Sequence, residues 1–378
     1  MAAPTITLPD QSMCWPSDLA TLTVHGDRYK EVRVRLQVRG AWSYEATLYT
    51  DYDGKAIMTG VDRILIDCMH DGTLPPDYNM LDVLVGAGGE GTELTLQGSK
   101  RVLLFDGYTP TPCRDWCKHS FLLLGNERTV PADVALAPCE LHWATNGGAD
   151  YSELCAPYTV YYLANAKTGE SRRVELQGDD TIDMDDDQGS HEFTPSLEFA
   201  IQEAGLEHEA ADWVLATVQH RLGLRVFTMH VQHTGAATID PLRVEFINAF
   251  GYADTLYLFG ERVVEHKYDY TTATVGGTVR TLQVNDVPTI KAATGPMQWR
   301  SAAAVQDLCR AHKIWLVGKD GVRTPIFISA AEHKAQAAPG EPLEATLSLQ
   351  YCQPYPLIDD GDGLTYDTTP AIFDNSFA

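Results

Sequence analysis

The sequence predicts a mainly β protein built of two or three β-sandwich-like domains with few short helices. Residues 32–38 alternate apolar and polar side chains, which is the period of a strand with one buried face. More short apolar segments follow, separated by turn residues such as Asp53-Gly54. One clear helical period occurs, at residues 301–311. Short strands joined by turns are typical of a sandwich or barrel and not of a βαβ sheet.

The N-terminal third is predicted to be a meander of strands. A second strand at residues 44–52 ends in the turn at Asp53-Gly54, where both residues tolerate positive φ. The remaining short strands are expected at residues 57–58, 64–69, 81–85, 93–96 and 102–105.

The middle of the chain is less clearly patterned. Residues 158–163 and 172–176 predict a hairpin joined through Lys167-Thr168-Gly169. Residues 209–221 could form a helix by propensity, or residues 214–219 and 224–231 could form a hairpin turning at Gly223. The surrounding β pattern favours strands.

The C-terminal third predicts strands around one helix. The helix is expected at residues 301–311, because Ala302, Val305, Leu308, Cys309 and His312 fall on one face. The strands are expected at residues 244–250, 255–259, 314–317, 324–329 and 343–351. We therefore divide the 378 residues into a β-sandwich domain (1–110), a β-rich domain (111–240), a β domain with one helix (241–358) and an acidic extended tail (359–378).

Composition excludes several function classes. Lys and Arg total 28 against 52 Asp and Glu, a net charge of −24, so the surface repels nucleic acid and anionic membranes and favours basic partners. We expect no membrane insertion, since no apolar run approaches the roughly 20 residues that span a bilayer. The first residues lack the pattern of an export signal, so the eight cysteines are expected to be reduced thiols.

The glycine-rich segment Gly86-Ala87-Gly88-Gly89-Glu90-Gly91 matches a dinucleotide-binding pattern. That pattern requires a helix directly afterwards, so that the pyrophosphate lies at the helix N-terminus. Residues 92–96 alternate as a strand does, so we interpret the segment as a hairpin loop and predict no cofactor.

Thiolate and imidazole side chains at close spacing supply the best metal candidate. Cys113, Cys117, Cys139 and His142 are the types that bind zinc, and four of them would complete a tetrahedron. The three-residue spacing between Cys113 and Cys117 is uncommon for zinc, however, and Trp116 and Trp143 lie in the same part of the sequence. We expect buried structural thiols here and predict no metal.

Two acidic segments are candidate contact elements. The loop containing Asp183 and Asp185 resembles the opening of a calcium loop, but it lacks the later glycine and glutamate, so we interpret it as a solvated loop. The C-terminal tail has five aspartates and spaced apolar anchors that could lie across a neighbouring subunit. Its predicted interaction residues are Asp359, Asp360, Asp362, Ile372, Phe373 and Phe377.

Three segments resemble tail and baseplate proteins of long-tailed bacteriophages, including those of prophages in Bacteroidetes-type gut bacteria. They are residues 48–67 with the Tyr52-Asp53-Gly54 turn, residues 120–139 followed by Glu140-Leu141-His142-Trp143, and the block from residues 246–251 through Asp307-Leu308, Thr324-Pro325-Ile326 and residues 347–351. The resemblance implies a distal-tail, baseplate or tail-adaptor protein. It carries over no catalytic residues and does not predict the acidic tail.

We therefore expect a non-enzymatic structural protein of a phage virion. It would be assembled in the host cytoplasm into a homo-oligomeric ring or hub with other tail proteins. The alternative is a carbohydrate- or receptor-binding module of a fibre or cell surface, with Trp42, Tyr108 or Trp116 grouped on one concave face. A third hypothesis, a metal-dependent hydrolase, would use Asp183 and Asp185.

Overall fold

The computed structural model describes residues 3–9, 13–38, 42–70, 79–89, 91–105, 109–145, 154–178, 181–183, 188–233, 241–298, 300–333 and 343–352. The strands are β1 (Thr5–Thr7), β2 (Met13–Cys14), β3 (Thr21–His25), β4 (Glu31–Val38), β5 (Trp42–Tyr49), β6 (Lys55–Thr59), β7 (Asn79–Ala87), β8 (Thr95–Val102), β9 (Glu127–Pro131), β10 (Cys139–Ala144), β11 (Leu154–Cys155), β12 (Tyr158–Asn165), β13 (Ser171–Gln177), β14 (Ile182–Asp183), β15 (Gln188–Phe193), β16 (Trp213–Leu222), β17 (Arg225–Gln232), β18 (Leu242–Ile247), β19 (Ala253–Leu258), β20 (Arg262–Val275), β21 (Thr278–Ala293), β22 (Ile314–Val317), β23 (Arg323–His333) and β24 (Ala345–Tyr351). The α-helices are α1 (Val61–His70), α2 (Cys113–His119), α3 (Leu197–Glu203) and α4 (Ala302–Arg310), with 3-10 turns at Pro16–Leu19, Val134–Leu136 and Glu207–Asp212.

The chain divides into two compact units. The N-terminal unit comprises Met1–Asn126, Asp133–His230 and Asn248–Tyr252. The C-terminal unit comprises Glu127–Ala132, Val231–Ile247 and Ala253–Ala378. The domain divisions at residues 110, 240 and 358 stay predictions.

The first part of the N-terminal unit has two sheets that share one core. One sheet has the order β1-β3-β6 and the other β2-β8-β7-β4-β5. Alternate residues of β4, such as Val34 and Leu36, are fully buried, while the intervening arginines are not. Leu22, Met58 and Leu65 join them from β3, β6 and α1. The strict alternation of the sequence therefore fixes the face that each strand buries.

The second part of this unit is built on strands in the order β13-β12-β16-β17. Strand β12 turns into β13 through Lys167-Thr168-Gly169, with Gly169 at φ +74°, and β16 turns into β17 at Gly223, φ +59°. Strands β10 and β15 form a separate antiparallel pair. Both predicted hairpins are confirmed, and the strand alternative for residues 209–221 is correct from Trp213 onward.

The C-terminal unit contains one sheet in the order β19-β18-β22-β23-β24-β21-β20. Helix α4 packs Ala304, Val305 and Leu308 into the core of this unit, against residues such as Phe246 and Leu347. A helical period in the sequence therefore places one apolar stripe on the sheet, as amphipathic helices do.

The structure confirms a mainly β fold with several sheets, but it corrects particular elements. Residues 64–69, predicted as a strand, lie in helix α1. Residues 93–96 and 102–105 do not form two strands, since β8 runs continuously over Thr95–Val102. Cys309 and His312 were placed on the buried face of the C-terminal helix, but both are exposed.

The Gly86–Gly91 segment joins β7 to β8, which pair antiparallel, and no helix follows it. The interpretation as a hairpin loop is therefore confirmed. An added Cβ at Gly86 would lie 2.8 Å from the Glu93 carbonyl oxygen, so the loop needs glycine for close backbone approach.

Candidate interaction surfaces

The longest hairpin of the C-terminal unit, hereafter the hairpin arm, consists of β20, β21 and the turn at Gly276-Gly277 (residues 262–293). Its strands pair antiparallel from Arg262 opposite Ala292 to Val275 opposite Thr278. Among the described residues, only Thr289–Ala293 of the arm pairs with a further strand, β24, and β20 lies at the edge of the sheet. Residues 267–287 thus form a two-stranded ribbon, and nine residues per strand at 3.3 Å give a length of about 30 Å.

The hairpin arm exposes large apolar side chains. Tyr268 and Tyr270 follow the strand period to the same face, and they are 51% and 63% exposed. Further exposed apolar side chains of the arm include Val263, Val264, Val275, Val279 and Leu282. An isolated two-stranded hairpin is marginally stable in water, and contiguous exposed apolar surface marks interaction sites. The arm is therefore a candidate interaction surface.

The charge of the hairpin arm differs from that of the rest of the chain. Its basic residues are Arg262, Lys267, Arg280 and Lys291, and its acidic residues are Glu265, Asp269 and Asp286. The arm therefore carries +1 (4 − 3), and the remainder of the chain carries −25 (−24 − 1). The arm therefore lacks the negative charge that the chain as a whole would present to an acidic neighbour.

A second surface lies in the N-terminal unit, at two adjacent turns that we call the tyrosine turns (residues 26–30 and 50–54). The Gly26 amide donates to the Gly54 carbonyl (2.9 Å), and the Thr50 amide donates to the Lys30 carbonyl (2.9 Å). The buried Thr50 hydroxyl donates to the Asp27 carbonyl (2.5 Å) and accepts from the Lys30 amide (2.8 Å). These bonds hold the two turns side by side.

The second of these turns is also fixed internally. The carboxylate of Asp51 accepts from the Lys55 and Asp53 amides, both at 2.8 Å, and these bonds lower its pKa. Gly54 has φ +77°, and a Cβ there would lie 2.4 Å from the Gly26 carbonyl oxygen. The predicted Asp53-Gly54 turn is confirmed, and its glycine is required by the neighbouring turn.

The tyrosine turns present aromatic rings to solvent. Tyr29 and Tyr52 are 69% and 63% exposed, with ring centroids 6.4 Å apart at 63°. The Arg28 guanidinium lies 4.8 Å above the Tyr52 ring. Tyr49, at the end of β5, is 71% exposed. Rings of this size that remain in water supply rigid, amphipathic contact area for a ligand.

Tyr29 also has an unusual backbone. Its φ of +55° is the one left-handed value among the non-glycine residues that the structure describes. A bulky residue in this region costs about 1–2 kcal/mol, and such strain is concentrated at ligand clamps and active sites. The backbone therefore favours glycine at position 29, whereas the sequence has a tyrosine.

A cavity of about 270 Å³ adjoins the tyrosine turns. Asp27, Lys30 and Glu31 provide its charged groups, and Gly88 and Gly89 line it from the loop after β7. The Glu31 carboxylate accepts from the Gly89 amide (3.0 Å), which fixes that side chain along the wall. Residues of both charges therefore line one concave surface.

The zinc candidates do not converge. Cys113 and Cys117 are buried in α2, and their sulfur atoms lie 4.0 Å apart. The contact with Cys117 and the burial both raise the pKa of Cys113, so its thiol stays protonated. Cys139 begins β10, and the His142 ring stacks on Tyr252 at 3.9 Å. Within the described ranges, no group of three or more His, Cys, Asp or Glu side chains could hold a metal ion.

The other predicted site residues are not grouped. Trp42 stacks on Tyr44 with centroids 6.2 Å apart, whereas Trp116 packs against Trp15 and Phe250 at a hydrophobic core. Trp42 and Trp116 therefore do not share the concave face that was predicted. Tyr108, Asp185, the side chain of Asp183 and all six predicted tail residues (Asp359, Asp360, Asp362, Ile372, Phe373 and Phe377) lie outside the described residues.

Comparison with known proteins leaves the family open. No protein-family model and no curated protein matches the chain. Similar solved structures include a tetra-tandem repeat in the extending region of a large adhesion protein, at 12% identity and TM-score 0.21, covering 77% of this chain and 70% of that one. A second is a cross-linked bacterial adhesin from Mobiluncus mulieris, at 10% identity and TM-score 0.15, covering 62% and 100%.

A third similar structure is the calcium-binding domain CBD12 of CALX1.1, at 12% identity and TM-score 0.16, covering 56% of this chain and 92% of that one. At these identities and TM-scores the similarities carry no argument about function, and none of the three descriptions names a phage tail protein. In the part of the chain that the structure describes, the helices are too short or too polar to span a bilayer.

Proposed function

We propose that this chain is a non-catalytic structural protein that assembles with further copies of itself through the hairpin arm. The single observation that carries the proposal is the two-stranded ribbon at residues 267–287, which exposes Tyr268, Tyr270 and Leu282. A ribbon of this kind gains stability when a neighbour covers its apolar side chains.

The charge distribution supports a second copy as the neighbour. The arm carries +1 and the remainder of each chain −25, so the arm of one subunit suits the acidic surface of the next. An arm that contacts a different surface on its neighbour makes a heterologous interface, and repeated contacts of this kind close into a ring when the rotation permits. This is the homo-oligomeric ring that the sequence predicts.

The resemblance to tail and baseplate proteins indicates where such a ring would function. In this proposal the ring belongs to the tail of a phage virion, is assembled in the host cytoplasm and contacts other tail proteins. Mass spectrometry of purified particles should find the chain at a fixed, ring-like copy number. Its absence from every particle would contradict the placement in a virion. This result would not test self-assembly, which needs its own measurement.

Light scattering of the purified full chain tests the assembly itself. We expect the unaltered chain to form an oligomer and the Tyr268→Ser/Tyr270→Ser variant to dissociate at least ten-fold more readily, because two apolar anchors are lost. Phe199→Ser is the matched control, since Phe199 is a 64% exposed aromatic residue outside the arm. Equal masses for the unaltered chain and the arm variant at all concentrations would contradict the proposal.

A carbohydrate- or receptor-binding module remains the second candidate function. The tyrosine turns favour it, because they expose Tyr29 and Tyr52 and because Asp27 and Lys30 of the same turns line a cavity. The two functions are compatible, since the arm and the tyrosine turns are different surfaces.

A further inference from the structure

We propose that the tyrosine turns bind a neutral glycan, with sugar rings lying on Tyr29 and Tyr52 and hydroxyl groups reaching Asp27 and Glu31. This inference deepens the second candidate function and does not depend on assembly through the hairpin arm.

The aromatic rings match the apolar faces of sugars. A pyranose ring has a face of C–H groups surrounded by hydroxyls, and it packs that face on an aromatic ring. Tyr29, Tyr49 and Tyr52 are each at least 63% exposed. Tyrosine restricts only two side-chain torsions on binding, so such a surface loses little conformational entropy.

The charged residues of the cavity suit the hydroxyl groups around a sugar ring. Asp27, Lys30 and Glu31 line the cavity. A carboxylate accepts hydrogen bonds from sugar hydroxyls, and an ammonium group donates to them. The cavity of about 270 Å³ is slightly below the 300–1,000 Å³ of drug-sized pockets, which suits one or two sugar units of a longer chain.

The turns are organised before any ligand arrives. Thr50 links Asp27 and Lys30 by hydrogen bonds of 2.5 and 2.8 Å, and the Asp51 carboxylate fixes the turn that carries Tyr52. Tyr29 keeps a strained φ of +55° that places its ring beside Tyr52. Strain retained in an exposed turn is explained if the ring has a ligand to contact.

The charge of the site selects neutral glycans. Residues 26–31 and 50–55 contain three basic and four acidic side chains, a net charge of −1 (3 − 4). With −24 on the whole chain, polyanionic glycans are repelled. A neutral sugar meets no such repulsion.

The test is binding of the full chain to immobilised neutral oligosaccharides containing glucose, galactose, mannose or N-acetylglucosamine. We expect one class to bind and Tyr52→Ala to weaken it at least ten-fold. Phe199→Ala is the matched control, since Phe199 is a 64% exposed aromatic residue outside both the tyrosine turns and the hairpin arm. This variant should bind as the unaltered chain does.

Tyr29→Gly separates binding from folding. Glycine adopts positive φ without strain, so this variant should keep or raise the melting temperature while it weakens glycan binding at least ten-fold. A variant that simply fails to fold would instead lose stability. Tyr29→Phe retains the ring and should retain most of the binding.

Three results would overturn the proposal. The first is that no neutral oligosaccharide of the panel binds. The second is that immobilised polylysine or heparin binds in their place, which would identify a basic protein or a polyanion as the ligand. The third is that Tyr52→Ala and Phe199→Ala bind equally well. None of these results bears on assembly, which light scattering measures independently.

Discussion

His220 shows how a single buried side chain links stability to pH. It lies 2% exposed on β16, stacks on Phe193 at 3.9 Å and contacts the Thr159 hydroxyl through Nδ1 at 3.1 Å. Burial, and secondarily the neighbouring His191, lower the pKa of His220 from 6.5 to about 3. The folded protein therefore holds this imidazole in its neutral form.

The expected consequence is loss of stability in acid. Below pH 6.5 the unfolded chain takes up a proton at His220, whereas the folded chain does not until about pH 3. The free energy of unfolding should therefore fall by about 1.4 kcal/mol per pH unit across this window, with no contribution from His220 above it. Urea unfolding at pH 8 and pH 4.5 measures this effect.

The variant His220→Phe identifies the source of the pH dependence. It keeps an aromatic ring against Phe193 but cannot bind a proton. Between pH 8 and pH 4.5 its free energy of unfolding should therefore fall by about 2–3 kcal/mol less than that of the unaltered chain. An identical loss in both proteins would show that other groups cause the acid sensitivity.

At the scale of elements, a buried ion pair joins β9 to β19 in the C-terminal unit. Arg128 and Asp254 form a two-pronged contact, with Nε to Oδ1 at 3.1 Å, and their side chains are 4% and 12% exposed. Removal of one partner leaves an uncompensated buried charge. We expect Asp254→Ala to lower the free energy of unfolding by about 3–5 kcal/mol.

The double variant Arg128→Met/Asp254→Leu tests whether charge or packing is responsible. Replacing both partners by apolar side chains removes the buried charge, so most of the lost stability should return. Chemical unfolding of the unaltered chain, Arg128→Met, Asp254→Leu and the double variant gives the coupling energy between the two positions. If the double variant is less stable than Asp254→Ala, the pair stabilises the unit through its attraction and not merely through charge balance.

Secondary structure was predicted well where the sequence has a clear local signal. The strand at residues 32–38 was predicted from strict alternation, and the helix at residues 301–311 from its helical spacing of apolar residues. The strand at residues 158–163 was predicted as part of a hairpin, because a turn signal follows it. Helix α1 was missed because residues 64–69 look like a short apolar strand. Val61, Ile64, Leu65 and Cys68 in fact recur at helical spacing, which a longer window would show.

The candidate surfaces were harder to predict than the fold. Gly276-Gly277 is a recognised hairpin signal that could have revealed the arm, although not its exposure. The Asp53-Gly54 turn was predicted, but its contact with residues 26–30 depends on long-range hydrogen bonds. Local sequence carries no information about such contacts, and a tyrosine at positive φ has no sequence signal at all.

At the scale of the whole molecule, the net charge opposes the proposed assembly. Each chain carries −24, so neighbouring copies repel one another at distances where the whole charge acts. The hairpin arm, at +1, is attracted only at short range, and its apolar contacts do not depend on charge. The balance between this long-range repulsion and the apolar contacts determines how salt affects assembly.

Salt should therefore strengthen a ring made of identical copies. At about 10 mM ionic strength the Debye length is about 30 Å and the repulsion extends across a subunit, whereas at 0.15 M it falls to about 8 Å. We expect the dissociation constant from light scattering to fall several-fold between these conditions for the unaltered chain, because screening removes repulsion but not apolar burial. A complex with a basic partner would respond in the opposite sense, since screening weakens attraction between opposite charges. Dissociation of the oligomer as salt rises would thus argue against self-association through the arm and in favour of a basic partner protein.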